Sequence, residues 1–118
     1  MKMKNDLEEL KTILTELKVP YRHHSWTTMP SAHRFATWFV PQMRFEGHDL
    51  RAEYYHYTVQ ISVFYRSFMD ETDDFAFEES FEQACRDAGN WSKKSGYDNE
   101  RDLFWSEYIF EFTELYEE

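Results

Sequence analysis

The chain has 118 residues, 42% of them hydrophobic, with only 3 Gly and 3 Pro; this fits one ordered domain with its own core and excludes a disordered or fibrous chain. Thirteen basic residues against 23 acidic ones leave a net charge of −10, which opposes tight binding to nucleic-acid phosphates. Aromatics reach 19%, more rings than a domain of this size readily hides, so some are expected at interfaces.

Residues 6 to 18 are predicted to form a helix, because Leu7, Leu10, Ile13, Leu14 and Leu17 fall on one stripe. Asn5 is placed to cap its first turn with Glu8 three residues on, and Val19-Pro20 is expected to end it. A short strand over Tyr21 to His24 and a polar loop from Ser25 to His33 follow. Arg34 to Val40 is the next strand, with Pro41 marking an edge or a bulge, and Arg44 to Leu50 reads as a turn with Gly47 at its positive-φ position.

The strongest signal lies between Tyr55 and Tyr65. Tyr55, Tyr57, Val59, Ile61, Val63 and Tyr65 alternate with a set that is polar in its middle, so this is a long strand with one buried face, expected at the centre of the sheet. A second helix is predicted from Asp74 to Ala88, with Phe77, Phe81, Ala84, Cys85 and Ala88 as its apolar stripe and Gly89 just past its end. Asn90 to Lys94 is a short strand, Ser95 to Glu100 a turn, and Leu103 to Thr113 a final alternating strand that buries Phe104, Tyr108, Phe110 and Phe112. The tail from Glu114 onward is expected to fray. This order predicts an α+β domain over residues 1–118, a mainly antiparallel sheet of four to five strands packed by two helices.

No catalytic or metal site emerges from the spacing of the residues. His23, His24, His33, His48 and His56 lack metal-ligand spacing, and no cofactor motif accompanies them. Asp70-Glu-Thr-Asp-Asp74 fails the calcium-loop pattern and reads as a helix start. Cys85 is the single cysteine, so an internal disulfide is excluded, an intracellular setting is favoured, and the thiol reads as a small hydrophobe. The first residues lack the apolar run of a signal peptide, and the longest apolar patch, Phe35 to Met43, is too short to span a membrane; a soluble protein made in the cytoplasm is expected.

In the order and character of these elements the chain resembles the small tail terminator and head-to-tail joining proteins of tailed bacteriophages, the minor capsid proteins of the neck. The resemblance runs over residues 6 to 112. It is carried by the first helix closing on Lys18-Val-Pro-Tyr21, the long strand Tyr55 to Tyr65, the acidic turn and helix from Asp73 to Ala88, Trp91-Ser-Lys-Lys94, and Glu107-Tyr-Ile-Phe-Glu-Phe112. Ser31-Ala-His-Arg34 stands where that family commonly has a Pro-Pro-Tyr-like segment, and Arg44 to Leu50 replaces an Asn-rich hairpin turn.

The resemblance implies a structural virion protein rather than an enzyme. Such proteins form a homo-oligomeric ring, commonly hexameric, that stops the tail tube and docks it to the head connector or stopper protein. They do so in the host cytoplasm during assembly and remain in the neck of the virion. DNA would at most pass through the channel, with no membrane involved. On this reading Trp26, Met29, Phe45, His48, Leu50, Tyr54 and Phe64 are candidate interface residues, and Asp70, Glu71, Asp73 and Asp74 a candidate acidic lumen or loop. From charge alone, the alternative is a small acidic inhibitor or immunity protein that shields a basic partner.

Overall fold

The computed structural model describes residues 5–48, 51–66, 73–86, 88 and 90–115; at 5, 45–48, 51–53, 55 and 115 it describes the backbone. The element order is α1 (Asn5–Glu16), β1 (Tyr21–His23), β2 (Arg34–His48), β3 (Arg51–Tyr65), α2 (Asp73–Ala84), β4 (Asn90–Asp98) and β5 (Leu103–Leu115). The strands form one sheet in the order β1-β2-β3-β5-β4. Every pairing is antiparallel except that of β1 with β2, where Tyr21, Arg22 and His23 run parallel to Ala36, Thr37 and Trp38. This is the expected α+β fold, with the Tyr55–Tyr65 segment in the central strand.

Both helices pack on one face of the sheet. The odd-numbered side chains Tyr57, Val59, Ile61, Val63 and Tyr65 of β3 are buried there, joined by Tyr108, Phe110 and Phe112 of β5. From α1 come Leu7, Leu10 and Leu14; from α2 come Phe77 and Phe81, with Cys85 just past its end. A helix of 12 residues is marginal in isolation. Burying three leucines, at about 2 kcal/mol each, is what holds α1 in place.

Several boundaries differ from the expectation. The segment from Arg44 to His48 belongs to strand β2, not to a turn, and Gly47 pairs with Ala52. Pro41 sits in a bulge: from Phe39 to Gln42 the strand takes three steps while its partner takes two, Gln60 to Thr58. Ser95 to Asp98 likewise belong to β4, where Gly96 makes room for Trp105: a Cβ at Gly96 would lie 2.5 Å from the indole Cζ2. Ala84 is exposed, because the buried stripe of α2 is Asp74, Phe77, Glu78 and Phe81, continued by Cys85 just past the helix end. Gly89 lies outside the described residues.

Helix α1 ends two residues before Val19-Pro20 stops the chain. The Lys18 amide donates to the Thr15 carbonyl and the Val19 amide to the Leu14 carbonyl, the paired bonds of a Schellman cap. Lys18 therefore holds φ 61°, a left-handed angle that glycine adopts more readily. The left-handed cost is about 1–2 kcal/mol for an ordinary residue. Glycine also returns about 0.5–1 kcal/mol of entropy to the unfolded chain. Lys18→Gly is accordingly expected to stabilise the fold by about 0.5–1 kcal/mol, read as a higher urea midpoint at unchanged slope.

Glu114 does not fray. It lies within β5, and its carboxylate accepts from the Tyr57 hydroxyl and, at 3.4 Å, from the Asp6 amide. Burial, then the charge of Glu114, pushes the Asp6 carboxyl up to about 6 from 3.8. A carboxyl whose pKa rises on folding makes the fold less stable as pH climbs from the unfolded value to the folded one. Asp6→Asn should thus leave stability unchanged near pH 3.5 and raise it by about 1 kcal/mol above pH 6.5, the partly exposed site screening the rest. Urea melts across that range measure the gap.

Candidate functional site

The even-numbered side chains of β3 point away from the helices: Tyr54, His56, Thr58, Gln60, Ser62 and Phe64. Register places them in rows with the neighbouring strands. The central row is Arg22, Thr37, Ser62, Glu107 and Lys94, one residue from each of the five strands. Next to it lies an aromatic row, Phe35, Phe64 and Trp105. On the other side come Phe39, Gln60, Ile109 and Ser92, next Gln42, Thr58, Glu111 and Asn90, and then Arg44, His56 and Thr113.

Residues 24–33 cross one end of this face and place Trp26 on it. Its indole nitrogen donates to the Ala36 carbonyl at 3.0 Å, and its ring meets Phe35 edge-on at 6.2 Å. Phe35 stacks on Phe64 at 5.5 Å. An arginine lies over each of the three rings: Arg22 over Trp26 at 5.4 Å, Arg66 over Phe35 at 5.6 Å and Arg101 over Phe64 at 5.7 Å. Phe35 is 1% exposed and stands apart from the helix-side core, so this end of the face carries a small apolar cluster of its own. Cations over ring faces add attraction at each site, about 0.5–1 kcal/mol where exposed. Arginine and large aromatics together are also the residues that dominate protein interfaces.

The far end of the face is polar. Gln42, Arg44, His56, Thr58, Asn90, Glu111 and Thr113 line an open groove of about 340 Å³, and the His56 Nδ1 lies 3.0 Å from the Thr113 hydroxyl. A hollow of about 200 Å³ beside it shares Asn90 and Glu111 and reaches Ser92 and Ile109. Among the described residues no three His, Cys, Asp or Glu side chains gather in a geometry that could hold a metal.

Both sides of the molecule carry both signs of charge, in different local arrangements. The face away from the helices carries Arg22, Arg44, Arg66, Lys94 and Arg101 against Asp98, Glu107 and Glu111. The outer surfaces of the helices expose Glu8, Glu9, Glu16, Asp73 and Glu79. The helix side also holds cations, but Lys11 lies over Trp38, Arg34 binds Asp74, and Lys93 binds Glu78 and Glu82.

Of the interface candidates, Trp26 and Phe64 meet in the aromatic row, joined through Phe35. Tyr54 is 42% exposed on the same side of β3, toward the hairpin end, and Met29 is 41% exposed in the 24–33 segment. Phe45 pairs with Tyr55 and His48 with Arg51 in the hairpin ladder. Leu50, Asp70 and Glu71 lie outside the described residues. Asp73 is exposed at the start of α2, whereas Asp74 is fully buried and bound by Arg34 and His33, so its carboxylate faces no channel. Burial pushes the Cys85 thiol up to about 12, consistent with a packed, protonated side chain.

The sequence reading missed the three arginines. They come from β1, from the end of β3 and from the β4–β5 turn, and no spacing along the chain connects them. Among the described residues no helix is long and apolar enough to cross a membrane. Compared with protein-family models and with curated proteins, the chain gives no match to either.

Proposed function

We propose that the chain is a structural assembly protein of a tailed bacteriophage, the subunit of a ring that ends the tail tube and joins the tail to the head connector. The observation that carries this reading is the two-sided sheet. One face is sealed by α1 and α2, and the other presents an arginine-capped aromatic row and a polar groove spread over four strands. Broad, mixed surfaces of this kind suit docking between folded subunits, where buried aromatic and arginine anchors supply most of the binding energy. The element order that underlies the family resemblance lends further support, since two helices on one side of a five-stranded sheet leave the other side free for neighbours. The net charge of −10 would keep DNA from adhering as it passes.

Deleting the coding sequence from a phage that carries it tests the proposal. Electron micrographs should then show tails of irregular length and heads without tails. Tails of uniform length, joined to heads as in the parent, would refute it.

A further inference from the structure

One patch on each side of the molecule is complementary to a patch on the other. On the sheet side, Arg22 and Arg66 are exposed over the rings of Trp26 and Phe35, and among the described residues no carboxylate pairs with either. On the helix side, α2 exposes Phe75, 50% open to solvent, with Glu79 one turn along the same face. An exposed phenylalanine beside a carboxylate is the counterpart of an aromatic row flanked by guanidinium groups. The ring would pack against rings, and the carboxylate would meet an arginine fork. Glu9 on the outer surface of α1 adds to the same acidic layer.

We infer that the outer face of α2 in one copy, anchored by Phe75 and Glu79, docks on the Trp26–Phe35–Phe64 row of the next copy between Arg22 and Arg66. This deepens the ring reading above and rests on it. The contact joins two different surfaces, so each copy donates one and accepts the other, and repetition gives a ring where the rotation closes. A second copy fits better than nucleic acid. The row's cations are interrupted by Asp98, Glu107 and Glu111 on the same face, and the acidic helix layer would repel a phosphate backbone.

A charge swap on the whole chain tests the contact, read by sedimentation velocity up to about 1 mM protein. Arg22→Glu/Arg66→Glu and Glu9→Lys/Glu79→Lys should each fail to self-associate, with circular dichroism unchanged. Mixed together they should assemble again, because the reversed sheet of one meets the reversed helices of the other and the remaining pair is native. Phe75→Ala should weaken wild-type association about tenfold or more, and added salt should weaken it further. A wild-type chain that stays monomeric at about 1 mM would overturn the inference. So would charge variants that assemble as before, a mixture that stays apart, or an arginine variant whose one lost property is binding to single-stranded DNA. These outcomes are separate from those of the deletion: a phage can need the protein for tail completion even if its copies meet through other surfaces.

Discussion

Glu78→Ala is expected to cost about 3–5 kcal/mol, enough to leave much of the chain unfolded at 37 °C. Glu78 is 4% exposed on the helix side of the sheet. One of its oxygens accepts from the Tyr65 hydroxyl at 2.6 Å and the Ser106 hydroxyl at 2.5 Å; the other meets the Lys93 ammonium at 2.6 Å. Lys93 also reaches Glu82 at 2.7 Å, and Glu82 accepts from Tyr108 at 2.8 Å. Burial would lower the Lys93 pKa, but hydrogen bonds to the two carboxylates outweigh it and hold the ammonium above its ordinary 10.5. Burial, then the bond to Glu78, drives the Tyr65 phenol upward, so it stays a donor.

Removing the carboxylate orphans the Tyr65 hydroxyl in a fully buried setting, at about 1–3 kcal/mol, and leaves the Ser106 hydroxyl with Ser95 alone, 2.9 Å away. Lys93, partly exposed, keeps Glu82. The discriminating experiment replaces the buried donors as well: Tyr65→Phe/Ser106→Ala/Glu78→Leu should recover most of the loss in urea melts, because apolar groups of similar shape need no partners. A triple variant as unstable as Glu78→Ala would assign the cost to the cavity and not to the network. The Lys93 contribution has its own signature. A raised lysine pKa stabilises the fold below the unfolded value and loses that effect as pH climbs through the folded one, so the advantage of the parent over Lys93→Met should shrink above pH 10.5.

How much of this was legible beforehand follows from where the partners sit. The period-2 pattern of Tyr55 to Tyr65 and of Leu103 to Thr113 states which residues face the core, and burial follows it almost residue by residue. The strand extensions at Arg44–His48 and Ser95–Asp98 were hidden, since Gly47 and Gly96 are turn formers in sequence and become strand residues through the neighbours they pair with. In α2 and just past its end the stripe at 74, 77, 78, 81 and 85 has perfect helical spacing once acids are admitted to it, but only partners 13 to 41 residues away make buried acids tolerable. Trp26 and Phe64 could be singled out as surplus aromatics. The arginines that lie over their row could not, because cation and ring meet through folding across three elements.

Asp74→Ala is the second substitution expected to be severe, at about 3–5 kcal/mol, and here the orphan is a cation. Asp74 is 0% exposed. It accepts from the Arg34 guanidinium at 2.6 Å, and its two oxygens lie 3.1 and 3.0 Å from the His33 Nε2. Arg34 also donates to the Asp73 carbonyl at 3.2 Å and lies over the Phe77 ring at 4.4 Å, yet among the described residues its buried Nε has no hydrogen-bond partner. Losing the carboxylate would leave a mostly buried charge held by a carbonyl and ring faces. Asp74→Asn keeps shape and one acceptor, so it should cost about half as much.

The damage should also be local in a way that general destabilisation is not. Asp74 ties the start of α2 to the start of β2, where the Arg66 amide donates to the His33 carbonyl at 2.9 Å and the Arg66 Nε to the Ala32 carbonyl at 2.9 Å. Loosening His33 frees the segment that carries Trp26, and with it one end of the aromatic row. In Asp74→Asn, amide exchange at Arg66 and Ala36 should accelerate well beyond the global change, while amides of α1 and the β3–β5 ladder track global stability. Uniform acceleration across the sheet would mean that the Asp74 cluster contributes stability alone and does not hold the open face in shape.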